Sequence, residues 1–165
     1  FDIEEKLLYD QKRHHYLKKW RPKVVVISAS WDQLKSAKEA KDLIDFLGGI
    51  GARVILIEQP PKFFYGDKNA PKYLSHLRVW PNEKFDGYIP RYFDENYENG
   101  RALIRQIKGD CSHCEILPVA DLFMRDGDVR ALDGRDVLYI DDDHLSQQGA
   151  LKARTRIKQA LERHF

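Results

Sequence analysis

An acidic triplet followed by a histidine, Asp141-Asp142-Asp143-His144, brings together residue types that can transfer protons. The apolar run at 137–140 before it predicts a short buried strand, and apolar residues follow it at helical spacing from 151 to 161. The group is therefore predicted to lie on a turn between strand and helix, where reactive groups gather in open α/β sheets. Asp141 could hold one ring nitrogen of His144 and leave the other free to accept a proton from a nucleophile.

The same turn also has a purely structural interpretation. Aspartates are common at turns because their side chains accept hydrogen bonds from nearby backbone N–H groups. Ser146 is a natural N-cap for the final helix. The spacing of these residues alone leaves the structural and the catalytic interpretations equally open.

A longer motif surrounds the histidine and extends into the final helix. Its residues keep a fixed spacing: Tyr139-x-Asp141-x-x-His144-Leu145-Ser146-x-x-Gly149-Ala150. This string resembles the last sequence block of the SGNH hydrolase family, and most of all the SGNH domain fused behind bacterial membrane O-acyltransferases of the acyltransferase-3 type. In that family the aspartate and histidine complete a Ser-His-Asp triad. The resemblance therefore implies Asp141 as the triad carboxylate and His144 as the base.

The nucleophile that the resemblance requires is not evident in the chain. SGNH enzymes carry their serine in a Gly-Asp-Ser block directly after the first strand, and no Gly-Asp-Ser occurs here. The nearest strings are Gly66-Asp67-Lys68 and Gly109-Asp110-Cys111, neither of which follows a predicted buried strand. We therefore expect residues 1–165 to be a single SGNH-like domain that forms the C-terminal part of a longer protein. The first strand and its serine would then lie upstream of Phe1.

A second candidate region lies around Ser30 and Trp31. The stretch 25–31 resembles the third block of the acyltransferase-fused members, where typical SGNH hydrolases have Gly-x-Asn-Asp and use the asparagine to hold the oxyanion. Ser30 could stabilise developing negative charge at a helix N-terminus, or it could form an ordinary capping box with Gln33. Trp31 is either a wall of the substrate site or a core residue.

A strand–helix–strand unit is predicted to position Ser30 and Trp31. It consists of a β-branched run at 23–27, a helix at 34–47 and an apolar run at 52–58. This order implies a parallel sheet with a right-handed crossover. With the resemblance, the predicted fold class is α/β, a three-layer α/β/α arrangement around a parallel, flavodoxin-like sheet that lacks its first strand or strands.

Other elements are predicted on either side of that unit. Residues 3–20 should form an amphipathic helix that packs on the sheet. Residues 60–90 should form a long excursion over the active-site edge, with a short helix near 73–77. A helix should run from Asp94 to Gly109, and a strand should follow at 115–119.

Composition narrows the possible functions. The 165 residues include 33% charged residues with a net charge of +2 and no basic tract, which argues against nucleic-acid binding. No apolar run approaches the roughly 20 residues of a membrane span. Cys111 and Cys114 lack the further ligands of a zinc site, so we predict a loop pair, either free or oxidised, and neither a metal nor a cofactor.

The resemblance implies a specific function for the whole protein. It is serine-type O-acyl transfer, of acetyl groups, to hydroxyls of a cell-envelope glycan such as lipopolysaccharide O-antigen. An upstream membrane acyltransferase domain would deliver the acyl donor on the periplasmic side of the bacterial inner membrane. Two alternatives stay open: a free-standing SGNH carbohydrate esterase, and a degenerate, non-catalytic glycan-binding domain.

Overall fold

A computed structural model describes residues 3–62, 70–76, 86–89 and 95–165. In this part of the chain the helices are α1 (Ile3–Trp20), α2 (Lys38–Gly49), α3 (Ala70–His76), α4 (Glu95–Gly109), α5 (Gln147–Lys152) and α6 (Arg154–Glu162). The strands are β1 (Val24–Ile27), β2 (Arg53–Ile57), β3 (Tyr88–Ile89), β4 (Cys114–Leu117), β5 (Met124–Arg125), β6 (Asp128–Arg130), β7 (Leu132–Asp133) and β8 (Asp136–Val137).

The central element is a parallel sheet in the order β1-β2-β4. Val25 pairs with Val54 across the first ladder, and Leu56 pairs with Ile116 across the second. The predicted strand–helix–strand unit and the predicted α/β class are therefore confirmed. Among the described strands, β1 forms one edge of this sheet. The absence of a first strand stays a prediction.

Helices cover both faces of the sheet, as the alternation of side chains along β2 shows. Val54 and Leu56 pack in one cluster with apolar residues of α2 and α4, such as Leu47 and Ile104. Ile55, between them in the strand, packs in another cluster with Leu117 of β4 and with Ala153 and Ala160 at α6. Because alternate strand residues point to opposite faces, the arrangement is three-layered, as predicted.

The segment before the histidine turn does not extend the parallel sheet. The predicted strand at 137–140 is reduced to β8, which pairs antiparallel with β7, and Tyr139 forms an isolated bridge with Leu145. The run is apolar because Leu138 and Tyr139 are buried beside Phe123 in a third cluster, around small antiparallel strands. An apolar run of this length indicates burial but does not reveal the pairing partner.

The first helix, α1, forms where it was predicted but contacts the core through few residues. Leu17 packs on the sheet cluster, and the ring of His14 lies 4.4 Å from that of Phe46 in α2. Five of its large apolar side chains are exposed: Leu7, Leu8, Tyr9, Tyr16 and Trp20. In the described part of the chain, no helix is long and apolar enough to cross a membrane.

Four further expectations can be compared with the structure. The short helix near 73–77 is confirmed as α3, and α4 lies within the helix predicted from Asp94 to Gly109. Asp94 itself lies outside the described residues. So does most of the predicted 60–90 excursion, including Gly66-Asp67-Lys68. The 115–119 strand is observed as β4. Cys111 and Cys114, which could have been free, form a disulfide at its start.

Candidate active site

The histidine turn is built mainly from its own residues. One carboxylate oxygen of Asp141, Oδ1, accepts hydrogen bonds from the backbone N–H groups of Asp143 at 3.1 Å and His144 at 2.7 Å. The backbone N–H of Ile140 donates to the carbonyl oxygen of His144 at 2.9 Å and closes the turn. Such short-range bonds are typical of turns that begin with an aspartate. The predicted acceptance of backbone N–H bonds by an aspartate of this turn is therefore confirmed.

The imidazole of His144 has two carboxylates at the same nitrogen. Nδ1 lies 2.9 Å from Oδ2 of Asp141 and 2.9 Å from Oδ1 of Asp143. Since both neighbours are acceptors, the ring proton of the neutral form belongs on Nδ1. The side chain is 69% exposed, and Nε2 forms no hydrogen bond or ion pair with another described residue. The ring is thus held on one side and available to a reacting group on the other.

The acidic neighbours change the ionisation of His144. Its pKa is raised above the ordinary value, first by the hydrogen bond with Asp141 and then by the charges of Asp143, Asp141 and Asp142. Burial opposes the ionisation of Asp141, but the N–H groups of His144 and Asp143 and the imidazole outweigh it and lower the pKa of Asp141. Asp141 therefore stays ionised when His144 gains a proton, as a triad carboxylate must.

Ser146 and Gly149 attach the histidine turn to the final helices. The hydroxyl of Ser146 accepts a hydrogen bond from the N–H of Gly149 at 3.1 Å and donates one to the carbonyl oxygen of Val137 at 2.6 Å. The predicted N-cap is therefore confirmed. A Cβ atom at position 149 would overlap the carbonyl oxygen of Leu138, so α5 needs a glycine there to approach this closely.

The stretch after β1 forms a buried turn in place of the predicted capping box. Residues 31–33 make a single 3₁₀ turn, and α2 begins only at Lys38. Ser30 is half-buried and its side chain makes no capping hydrogen bond, so the capping box predicted for Ser30 and Gln33 is wrong. The reason is that Trp31 is drawn into the core: it is 1% exposed, and its indole N–H donates to the carbonyl oxygen of Ile57 at 2.7 Å.

Asp32, next to Trp31, is an important site residue that the sequence did not single out. Its carboxylate is only 4% exposed, and its Oδ2 lies 2.6 Å from the ammonium of Lys62. The same ammonium lies 3.5 Å from Oδ2 of Asp143 in the histidine turn. Lys62 follows β2, so one cation connects the loops after β1 and β2 with the turn that carries His144.

The loop after β2 also fixes its neighbours through buried polar groups. Glu58 accepts hydrogen bonds from the N–H groups of Val119 and Ala120, each at 3.2 Å, and from Nε of Arg101 at 3.0 Å. The side-chain oxygen of Gln59 accepts a hydrogen bond from the N–H of Asp32 at 3.3 Å. A buried carboxylate with three donors rigidifies the loops it joins.

A close contact between α4 and the Trp31–Asp32 turn completes this support. A Cβ atom at Gly100 would lie 2.7 Å from the backbone nitrogen of Asp32 and 3.1 Å from the carbonyl carbon of Trp31. Position 100 therefore has no room for a side chain unless the turn moves. No sequence signal marked Gly100, because a glycine inside a helical pattern ordinarily indicates only a weaker helix.

Among the residues that the structure describes, two groups of side chains place potential metal ligands within reach of one another. Asp141, Asp143 and His144 form one group, but Asp143 already pairs with Lys62, and Nδ1 of His144 is hydrogen-bonded to Asp141. The other group contains Cys111 and Cys114, whose disulfide leaves no thiolate to bind a metal. In the first group Asp143 is thus already paired with a cation, and in the second the two cysteines are paired with each other.

The fold has three layers, with a parallel sheet between helices, and a histidine held by carboxylates lies on the turn before the last helices. This is the arrangement expected of an SGNH-type enzyme. The chain belongs to the family of SGNH domains that are fused to AT3 domains, whose family model matches residues 6–159. The resemblance inferred from the motif around His144 is thereby confirmed. No curated protein has a sequence that matches the chain.

A solved structure with the same fold supports this assignment. The chain is similar to the periplasmic domain of a lipopolysaccharide acetyltransferase from Salmonella ser. Paratyphi A, with a TM-score of 0.69 and 16% sequence identity. The similarity covers 92% of this chain and 61% of the other, so the chain spans less than two thirds of that structure. At this identity the likeness establishes the shared fold.

Proposed function

We propose that this chain supplies the histidine and carboxylate of a serine-type O-acyltransferase, which transfers acetyl groups to hydroxyls of a cell-envelope glycan such as lipopolysaccharide O-antigen. The orientation of His144 supports this most directly. Its Nδ1 faces the carboxylates of Asp141 and Asp143, and its Nε2 is open to a reacting group. Membership of a family fused to AT3 domains supports acyl transfer as the chemistry.

In the proposed reaction His144 transfers each proton through Nε2. It removes the proton of the serine hydroxyl while the serine oxygen bonds to the acyl carbon, and it returns that proton to the leaving group of the donor. It then takes a proton from the acceptor hydroxyl while the acceptor oxygen bonds to the acyl carbon, and it gives that proton to the serine oxygen as the bond between serine and acyl group breaks. Asp141 stabilises the imidazolium at both stages.

The serine is proposed to come from sequence upstream of Phe1. In the described sheet β1 is an edge strand, and Val26 is exposed on it. A parallel strand added to that edge would end beside the loop that carries Ser30, at the same side of the sheet as the loops joined by Lys62. Ser30 remains a candidate for the oxyanion site through its backbone N–H or hydroxyl.

The proposed setting is the periplasmic side of the bacterial inner membrane. The Cys111–Cys114 disulfide supports an oxidising compartment, and fusion to AT3 domains supports a membrane domain that delivers the acyl donor. The solved structure of similar fold is itself described as a periplasmic domain. The glycan acceptor would be the second substrate.

A fluorophosphonate probe for activated serines tests the proposal. It would be applied to this chain and to the protein extended upstream, each with a His144→Ala variant and with His15→Ala, a change at an exposed histidine of α1, as the matched control. We expect labelling only in the extended protein, loss with His144→Ala and no effect of His15→Ala, as read by intact mass and peptide mapping. Labelling of Ser28 or Ser30 in this chain would instead overturn the upstream placement.

Two alternatives have distinct outcomes. A carbohydrate esterase would use the same acyl-enzyme, and it would be recognised by release of free acetate at a rate that an added glycan acceptor does not change. A non-catalytic glycan-binding domain is favoured by one observation, that the chain contains no Gly-Asp-Ser. Absence of labelling in the extended protein, together with binding of the glycan, would establish it.

A further inference from the structure

We propose that Lys62 is a positioning residue for His144, because it holds Asp143 in place as the second carboxylate at Nδ1. This inference deepens the proposed function and rests on it for its catalytic meaning. It assigns a role to a loop residue that lies outside the Asp-x-x-His motif.

Asp143 contacts two different groups through its two oxygens. Oδ1 lies 2.9 Å from Nδ1 of His144, and Oδ2 lies 3.5 Å from the ammonium of Lys62. The Asp143 side chain is 15% exposed, so these contacts are partly shielded from water. One carboxylate therefore spans the distance between a cation and the imidazole.

The two carboxylates at His144 are held by different means. Asp141 is fixed by the backbone N–H groups of its own turn, those of Asp143 and His144. Among the described residues, the side chain of Asp143 has no backbone N–H of this kind in contact, and Lys62 takes that role. Without Lys62, the turn would still orient Asp141 but would leave Asp143 free to rotate away from the ring.

Lys62 is itself anchored on the buried side of the site. Its closest contact is Oδ2 of Asp32 at 2.6 Å, and Asp32 is held in turn by Gln59 and by the close approach of Gly100. Burial opposes the charged form of Lys62, but the contacts with Asp32 and Asp143 outweigh it and raise its pKa. The ammonium is therefore charged at neutral pH and tied to a rigid part of the fold.

A double-mutant cycle on the ionisation of His144 tests this role. The imidazole of His144 would be titrated by NMR in this chain, in Asp143→Asn, in Lys62→Met and in the double variant, with His144→Ala to assign the signal. Asp141, Asp142 and Asp143 face the ring from its own turn, and Lys62 faces Asp143 from the loop after β2. The cycle cancels any direct effect of the Lys62 charge on the ring.

We expect Asp143→Asn to lower the pKa of His144, and the lowering to be at least about twice as large with Lys62 present as with methionine in its place. Lys62→Arg should restore the larger effect, since a guanidinium can also bridge two carboxylates. If Asp143→Asn had an equal effect in the Lys62→Met variant and in the chain that keeps the lysine, the proposal would be overturned.

Loss of Lys62 also leaves the buried carboxylate of Asp32 without its cation, which could unfold the chain. The cycle would therefore be repeated in an Asp32→Asn background, where Lys62→Met no longer leaves a buried carboxylate at position 32 without its cation. The measurement needs no serine and no substrate. A failed cycle would reject the role of Lys62 alone, whereas absence of serine labelling in the extended protein would reject the proposed function alone.

Discussion

The turn after β1 and the turn that carries His144 lie on either side of Lys62, and they are held in opposite ways. The Trp31–Asp32 turn depends on distant residues: its indole donates to Ile57, and its backbone lies against Gly100 of α4. The histidine turn depends on neighbours within a few residues, chiefly the N–H groups that donate to Asp141.

The two turns therefore have different roles within one site. The buried turn provides a fixed support, because moving it would disturb the core around Trp31. The exposed turn presents a titrating group to solvent, and its local bonds keep the histidine oriented while the ring stays in water. Substitutions in the Trp31–Asp32 turn should therefore lower the free energy of unfolding, and substitutions in the histidine turn should change the pKa of His144.

The largest expected effect comes from removing the indole of the buried turn. Trp31→Ala should destabilise the chain by about 3–5 kcal/mol, since it leaves a cavity and removes the hydrogen bond to Ile57. Trp20→Ala, at a side chain that is 70% exposed, is the matched control and should change the free energy of unfolding by less than about 0.5 kcal/mol. Chemical denaturation would measure the free energy of unfolding of both variants. Equal losses would contradict the conclusion that the buried indole of Trp31 supports the fold and the exposed one of Trp20 does not.

A smaller loss is expected where α4 touches the same turn. Gly100→Ala should destabilise by about 1–2 kcal/mol, because the new Cβ meets backbone atoms of Asp32 that cannot easily move. Gly109→Ala lies in the same helix with nothing within 4 Å of its Cβ, and it should leave stability unchanged or raise it by up to about 1 kcal/mol. If thermal unfolding showed Gly100→Ala to be as stable as Gly109→Ala, the close contact would not constrain the turn.

In the histidine turn, the cap should matter less than either of these contacts. Ser146→Ala should cost about 1 kcal/mol, since the N–H of Gly149 and the carbonyl oxygen of Val137 each lose a partner. Ser112→Ala, at an exposed serine in the disulfide loop, should be neutral. Denaturation midpoints of the two variants would be compared, and a loss above that of Gly100→Ala would reverse the proposed order of the two turns.

The smallest effect on stability, and the clearest on ionisation, is expected from Asp141→Asn. The amide oxygen can still accept the N–H bonds of the turn, but the pKa of His144 should fall because its largest stabilising partner loses its charge. Asp143→Asn should lower that pKa less. NMR titration of the ring would measure both, and an unchanged pKa in Asp141→Asn would remove the basis for its role as triad carboxylate.

The same substitution predicts how stability depends on pH. The pKa of His144 is raised in the folded chain, so its contribution to stability is present below the unfolded pKa and is lost as pH rises through the folded one. Asp141, whose pKa is lowered, contributes above its unfolded pKa and loses that contribution as pH falls through its folded pKa. Asp141→Asn should flatten both changes in denaturation curves recorded across pH.

The contrast between the turns also explains what the sequence could predict. The spacing of Asp141, His144 and Ser146 encodes a local turn with its cap, and both were predicted from sequence because the partners are neighbours. Asp32, Lys62 and Gly100 meet only through the tertiary fold, and no local pattern marks them. Similarly, the parallel strands were predicted from their apolar runs. The run before the histidine turn was predicted as a buried strand, but the sequence did not show that it would pair antiparallel and only at β8, because burial does not determine pairing.

Gly149 has a consequence for how relatives of this chain are recognised. The glycine is required by the approach of α5 to Leu138, so it belongs to packing and would be retained in a descendant that had abandoned catalysis. His144 carries no such constraint, since its ring is exposed and fills no space in the core. If the proposed function holds, a sequence search that weights the Ser-x-x-Gly part of the motif would therefore collect active and inactive relatives together, and only the Asp-x-x-His part would separate them.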